Sequence, residues 1–247
     1  AMRIIQYKGT GRTETLKEQL TRKGYAVGFK ALVDYINTLL PSNEEIGRAL
    51  RREVRTYPEI AIRELVANAI IHQDFSISGT GPTVEIFSDR IEITNPGIPL
   101  IDTLRFLDEP PRSRNEDLAS CMRRLNICEE RGTGIDKVIF EIEFFQLPPP
   151  DFQTTANHTR AVLYAPRNLG RMDKKDRIRA CYQHACLCWV SQKDMTNTTV
   201  RERFGIDETN ASTASRIISE TIKAKLIKTS DPDNKSRKLM KYVPFWL

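Results

Sequence analysis

Glu64, Asn68 and His72 recur at intervals of four residues. On a helix that spacing puts them in one line, each a turn above the last. Ile62, Leu65, Val66, Ala69 and Ile70 share a stripe on the opposite side, so the apolar stripe faces a core and the polar line faces water or a ligand. A carboxylate and an amide on successive turns can divide one task. The carboxylate accepts a proton from an attacking water, and the amide oxygen holds a hydrated Mg²⁺. His72, at the end of the line, has the simpler reading of a cation that holds the helix C-terminus or the turn after it.

The neighbouring elements can be read from the pattern of residues. Arg3 to Tyr7 reads as a strand with no obvious partner, Lys8 to Arg12 as a turn, and Glu14 to Arg22 as a polar helix. Residues 1–30 are therefore expected to be the tail of a domain cut away upstream. Leu32, Tyr35, Ile36 and Leu39 recur at helical spacing up to Pro41, and Ile46 to Tyr57 reads as extended. Thr83 to Phe87 and Arg90 to Thr94 alternate as an antiparallel hairpin that runs into Asn95, Pro96 and Gly97. Ile98 to Asn115, rich in Pro, Arg and Asp, is a loop long enough to serve as a lid. Leu118, Met122 and Leu125 mark a helix, and Gly132-Thr133-Gly134 opens another with Ile135, Val138, Ile139 and Ile142 buried. Arg160 to Tyr164 is a further strand. The expected domains are 31–165 and 166–247, the second entered through a polar linker from Pro166 to Asp176.

Charge separates these two parts. From Gly170 onward there are 16 Lys and Arg against 9 Asp and Glu, a net of +7, which leaves 22 against 23, or −1, before it. An excess confined to the last third points to an anionic partner, and nucleic acid is the commonest. That third reads as helix (Arg177 to Trp189), short helix (Thr198 to Phe204), helix (Ala211 to Lys225) and two extended segments, the order of a winged helix. In the third helix Ala214, Ile217, Ile218 and Ile222 form a buried stripe, which leaves Ser212, Thr213, Ser215 and Arg216 to face a DNA groove. Lys235, Arg237 and Lys238 fall in the turn between the last two strands, where a wing would meet phosphates. No apolar run is long enough to span a membrane, and the expected location is the cytoplasm.

Glu64-x-x-x-Asn68, Asn95-x-Gly97 at a strand end, and Gly132-x-Gly134 at a helix start resemble, in that order, the three boxes of the GHKL ATPase superfamily, which includes gyrase B subunits, MutL and histidine kinases. Arg63 to Ala69, His72-Gln73-Asp74 and Glu130 to Ile135 look more closely like the RecG-related transcriptional regulators. In those proteins a GHKL-like domain follows an AlbA-type (Schlafen-like) domain and precedes a winged helix. The resemblance implies an α+β fold, a GHKL-like sandwich of a mixed sheet with helices on one face. It assigns residues 1–30 to the AlbA-like remnant. It further implies an ATP and Mg²⁺ site with Glu64 as general base, Asn68 as metal ligand, Asn95 and Gly97 against adenine, and Gly132 and Gly134 cradling phosphate. Two positions depart from the superfamily pattern. Asn95 stands where an Asp usually accepts from the adenine amino group, and Pro99 stands where a second Gly is usual.

Three readings follow from these residues: a nucleotide-responsive regulator that binds double-stranded DNA, a slow ATPase, and a degenerate scaffold that forms a homodimer. Asn95 and Pro99 favour the first or third. No Walker-type phosphate loop is present, so no helicase motor is encoded. Cys181, His184, Cys186 and Cys188 crowd soft ligands into eight residues. On one helix they cannot converge on a tetrahedral ion, so they read as core thiols.

Overall fold

The computed structural model describes residues 1–46, 51–128, 132–231 and 240–247, with backbone alone for 42–46 and 51–55. The described chain divides into two compact units, 1–138 with 150–165, and 139–149 with 166–247. The first unit is built on a six-stranded sheet. Its strands are β1 (Arg3–Tyr7), β2 (Thr15–Leu20), β5 (Thr83–Ile86), β6 (Arg90–Pro96), β7 (Asp151–Thr154) and β8 (His158–Tyr164), in the order β2-β1-β5-β6-β8-β7. A separate hairpin, β3 (Ser42–Ile46) and β4 (Arg51–Arg55), pairs only with itself among the described residues. The pairing of β1 with β5 is parallel and the others are antiparallel, so the sheet is mixed.

The strand without a visible partner in the sequence thus lies inside the sheet, and Glu14 to Arg22 is not a helix. Six residues there form β2, all of them exposed, at the sheet edge. A polar stretch with no apolar face offers a helix nothing to bury, whereas pairing with β1 satisfies its backbone on one side. β7 has only four residues and gives no alternation long enough to read from sequence.

Register fixes what each face of the sheet carries. Val84, Ile86, Ile91 and Ile93 point to one side and are almost fully buried. That side receives α1 (Tyr25–Leu39) and α2 (Glu59–Ile71), with α3 (Glu116–Arg124) beyond. In α3 the buried residues are Ala119 and Met122, while Leu125, assigned to the apolar stripe, lies past the helix end and is exposed. α4 (Gly134–Phe144) follows, with Val138, Ile139 and Ile142 buried. Mixed strands with helices on one face are the arrangement of an α/β GHKL-like sandwich.

In the second unit α5 (Lys174–Val190), α6 (Asn197–Phe204) and α7 (Ala211–Lys223) precede two short antiparallel strands, β9 (Ile227–Thr229) and β10 (Tyr242–Pro244). Asp173 caps α5 by accepting from the Asp176 amide at 2.7 Å, so the helix begins inside the expected linker. Thr196 and Thr199 exchange hydrogen bonds at the start of α6, and Gly205 at φ 61° ends it. In α7 the fourth buried residue is Thr221, not Ile222. Its hydroxyl donates to the Ile217 carbonyl at 2.8 Å, which lets a polar side chain occupy the core.

On the other face of the main sheet Glu85 and Glu92 stand directly opposite each other, both buried. Like charges across a strand pair repel, so the pair depends on the cations around it. Arg12, from the β1–β2 turn, donates to Glu85 at 2.6 and 2.8 Å and to Glu92 at 3.0 Å. Arg90 adds a 2.7 Å bond to Glu92, and the Tyr7 hydroxyl donates to Glu85 at 3.0 Å. Arg12→Ala is expected to lower the unfolding free energy by about 1–2 kcal/mol, discounted because the Arg12 side chain is half exposed. Adding Glu85→Gln should recover part of that loss in a double-mutant cycle read by urea denaturation.

Candidate functional site

α2 is buried nearly all round. Ala61, Ile62, Leu65, Val66, Ala69 and Ile70 are enclosed, and Glu64 is only 2 % exposed. A carboxylate removed from water needs compensation. Arg63 Nη1 donates to Glu64 Oε1 at 2.7 Å, and Arg63 Nη2 reaches the Asn126 and Ile127 carbonyls at 3.1 and 2.8 Å. The guanidinium therefore ties the carboxylate to the chain just past α3. Gly134, the first residue of α4, lies over the second oxygen: a Cβ there would sit 2.9 Å from Glu64 Oε2 and 3.8 Å from Asn68 Nδ2. Only glycine lets the backbone start of a helix come that close to this carboxylate and amide.

The second wall is the end of β6. Asn95 is 6 % exposed, and its Nδ2 donates to the Pro96 carbonyl at 3.0 Å. That leaves the uncharged amide oxygen as an acceptor and the second N–H as a donor. Gly97 has φ 102°, a conformation L side chains rarely adopt. Its N–H bonds the Asn157 carbonyl at 2.7 Å, and its own carbonyl accepts from Thr159 Oγ1 at 2.7 Å. The turn is thus fixed by β8 and the loop before it.

The loop from Ile98 to Asn115 closes the third side. Asn115 Nδ2 donates to the Ile71 and Gln73 carbonyls at 2.7 and 2.8 Å, capping the end of α2. That is the role the sequence suggests for a His72 cation. The His72 ring is held neutral instead, because burial, and then the Arg114 charge, push its pKa below the ordinary value. Arg114 Nη2 donates to the Ile98 carbonyl at 2.7 Å, bracing the loop against its own start. Gly132 has φ 69°, and a Cβ there would meet the Pro111 ring at 2.6 Å, so loop and glycine turn touch directly.

These walls enclose a cavity of about 590 Å³, within the range of small-molecule sites. Glu64, Asn68, His72, Asn95, Gly132 and Gly134 all line it. Gly97 does not; it shapes the turn between Asn95 and Ile98, which do. Pro99 also lines the cavity, together with Ile98, Ile101, Phe106 and Phe152, so one part is apolar and suits a flat ring. Arg112, Arg114 and Arg123 also line the cavity and supply cations to it. None of these arginines stands out in the sequence; the Pro- and Arg-rich composition of the loop is the available signal. Asp136, in the first turn of α4, does not line the cavity, and burial pushes its carboxyl up to about 6.

An adenine nucleotide fits these residues. The cavity has an apolar part with one buried acceptor, two glycines at its wall beside a helix start, and guanidinium groups for phosphate charge. Asn68 is a single amide ligand of the kind Mg²⁺ takes when phosphates and water complete its shell. Among the described residues no cluster of three or more His, Cys, Asp and Glu could hold a metal without such help.

The DNA-facing residues expected from the sequence lie in the second unit. Ser212 and Arg216 are exposed on α7 and Thr213 is half-buried. The Ser215 hydroxyl is already used, accepting from Asn197 Nδ2 at 3.0 Å and donating to the Ala211 carbonyl at 3.3 Å. It belongs to the packing of α6 on α7, which one-helix periodicity could not show. Lys235, Arg237 and Lys238 lie outside the described residues. Among the described residues no helix is long and apolar enough to cross a membrane.

Residues 79–163 match the family model described as "Putative ATP-dependent DNA helicase recG C-terminal", an ATPase-type domain. The match covers β5 to β8 with Asn95, Gly97, Gly132 and Gly134, while Glu64 and Asn68 precede it. It supports a divergent ATPase-like domain in the first unit. No curated protein matches this chain. Among solved structures, that of the DIP2311 protein from Corynebacterium diphtheriae is similar, with TM-score 0.63 and 19% identity over 99% of this chain and 51% of that one. The shared property is the fold, and this chain spans about half the length of that protein's chain.

The neutral His72 gives a pH test of the site. Its folded pKa is depressed, so its contribution to stability is present above the unfolded value near 6.5 and is lost as pH falls through the folded value. With three histidines in the chain, NMR titration resolves each. His72 is expected to titrate below 6.5, and His72→Gln to flatten the fall in unfolding free energy as pH drops below about 6.5. Titration of His72 at or above 6.5 would contradict its burial against Arg114.

Proposed function

We propose that this protein is a nucleotide-responsive DNA-binding regulator: Mg-ATP binds in the cavity of the first unit, and the second unit binds duplex DNA. The observation that carries the nucleotide part is convergence. Glu64 and Asn68 from α2, Asn95 from β6 and the two glycines at the start of α4, far apart in sequence, line one cavity of nucleotide size. The match to an ATPase-type family over residues 79–163 supports the same reading. Bound Mg²⁺ would neutralise phosphate charge. Asn68 would hold the ion, Gly132 and Gly134 would admit the phosphates, Asn95 would accept from the adenine amino group, and Arg112 and Arg123 would pair with anionic oxygens. Closure of the loop from Ile98 to Asn115 over the ligand is the proposed switch.

Binding is favoured over rapid hydrolysis because of Arg63. A general base must have its lone pairs directed at the attacking water, yet Glu64 is held by a 2.7 Å charge-assisted bond from the adjacent residue. Glu64 is therefore proposed as a slow base. Full-length protein titrated with Mg-ATP should gain about 2.7 kcal/mol of stability at a hundred times the dissociation constant, read by thermal shift. Glu64→Ala should keep that shift while abolishing any turnover, since a positioned base contributes roughly 10²- to 10⁴-fold to rate and little to affinity. No shift at millimolar Mg-ATP would leave a homodimeric scaffold as the better account.

The DNA part rests on the +7 charge after Gly170, on the helix-helix-helix-strand-strand order and on the exposed Ser212 and Arg216. Read as a winged helix, α7 would enter the major groove and the segment between β9 and β10 would lie along the backbone. Reversing Arg237 and Lys238 to Glu should weaken all duplexes alike and reduce the slope of log K against log salt by roughly 0.9 for each phosphate no longer neutralised. Arg216→Ala should cost more on the preferred sequence than on random DNA. Binding that does not respond to salt would remove nucleic acid from the proposal.

A further inference from the structure

Three side chains in the second unit form a chain of polar contacts that the nucleotide reading does not use. His184 Nδ1 lies 2.9 Å from Glu143 Oε2, and His184 Nε2 lies 3.5 Å from Cys188 Sγ. Glu143 comes from α4, 41 residues earlier in the chain, whereas His184 and Cys188 are one turn apart on α5. Arg203 from α6 places its positive charge beside the other carboxylate oxygen, Nε to Oε1 3.5 Å. Each nitrogen of the imidazole is therefore matched: one donates to a carboxylate and the other meets a thiol. A carboxylate that orients an imidazole against a nucleophile is the general arrangement that activates weak nucleophiles.

We propose that Cys188, His184 and Glu143 form a polarised-thiol site that reacts with soft electrophiles and exchanges with small disulfides. The other thiols of the same helix are not so equipped. Cys181 and Cys186 are both wholly enclosed, and burial pushes the Cys181 thiol up to about 12. Cys188 is 7 % exposed and sits in the last turn of α5. The helix dipole there opposes a thiolate, so its stabilisation must come from an imidazolium. Burial works against charge on His184, but the contacts with Cys188 and Glu143 outweigh it and push the ring up to about 9. Cys188, Glu143 and Arg203 are the titratable or charged groups facing that ring among the described residues.

In the exchange step the Cys188 proton resides on His184 Nε2 and the sulfur attacks one sulfur of the disulfide. The new S–S bond forms as the old one breaks, and the departing thiolate takes the proton from His184 and leaves as a thiol. One disulfide is consumed and one is formed, so no other oxidant is needed.

The test uses the full folded chain, with timed iodoacetamide labelling at pH 7 and peptide mass spectrometry. Exposed Cys121 serves as the reference. Cys188 should be labelled in the folded chain, and oxidised glutathione should form a mixed disulfide there. His184→Gln should slow both reactions at Cys188 by at least about tenfold and leave Cys121 unchanged, because no imidazole then takes the thiol proton. Glu143→Gln should slow them less, since the imidazole remains. No labelling of Cys188 in the folded wild-type chain, or Cys188 rates in both variants equal to those of wild type, would overturn the proposal. Wild-type labelling and the Glu143→Gln rate decide if His184→Gln does not fold.

Discussion

A carboxylate buried on a helix needs something to meet it. Glu64 on α2 is such a carboxylate. Arg63 meets one oxygen, and the start of α4 comes to within reach of the other because residue 134 has no side chain. Much of the first unit follows from that constraint. Arg63 must hold the chain past α3 in place, Gly132 must turn beneath Pro111, and the loop from Ile98 to Asn115 must end where Asn115 can cap α2. The result is a cavity whose polar wall is the enclosed side of one helix.

The sheet completes the opposite wall through register alone. Since side chains alternate, Ile93 and Asn95 on β6 share a face with Thr159 and Ala161 on β8 and Phe152 on β7, and all five line the cavity. The reverse face then carries Glu85 and Glu92 with their arginines. A one-residue slip between β5 and β6 would bring glutamates into the cavity and isoleucines under the arginines, so the ionic cluster on one face specifies the chemistry of the other.

Much of this is legible in the sequence wherever the information is periodic. The four-residue spacing of Glu64, Asn68 and His72 places them on one side of a helix, and alternation from Thr83 to Thr94 marks β5 and β6. Other features depend on partners distant in the chain. β1 has no visible partner in the sequence because parallel pairing with β5 joins residues some 80 positions apart. β2 reads as helical because exposed edge strands carry no apolar alternation. The site residues that sequence reasoning missed, Arg112, Arg114 and Arg123, have no spacing of their own; the fold alone brings them to the cavity. His72 reads as a cation in the sequence because its burial and its nearness to Arg114 are tertiary facts. Glu143, His184 and Cys188 read as a core helix and an unrelated glutamate for the same reason.

The wall built on α2, the end of β6 and the turn opening α4 is proposed to hold a nucleotide. A crystal structure of the protein with a non-hydrolysable ATP analogue and Mg²⁺ tests this most directly. Adenine density is expected beside Asn95, a metal ion on Asn68 and phosphate density at Gly132 and Gly134, with Glu64 displaced from one of its present contacts. A cleft free of ligand density at saturating analogue, or one filled by the side chains of Arg112 and Arg123, would contradict it.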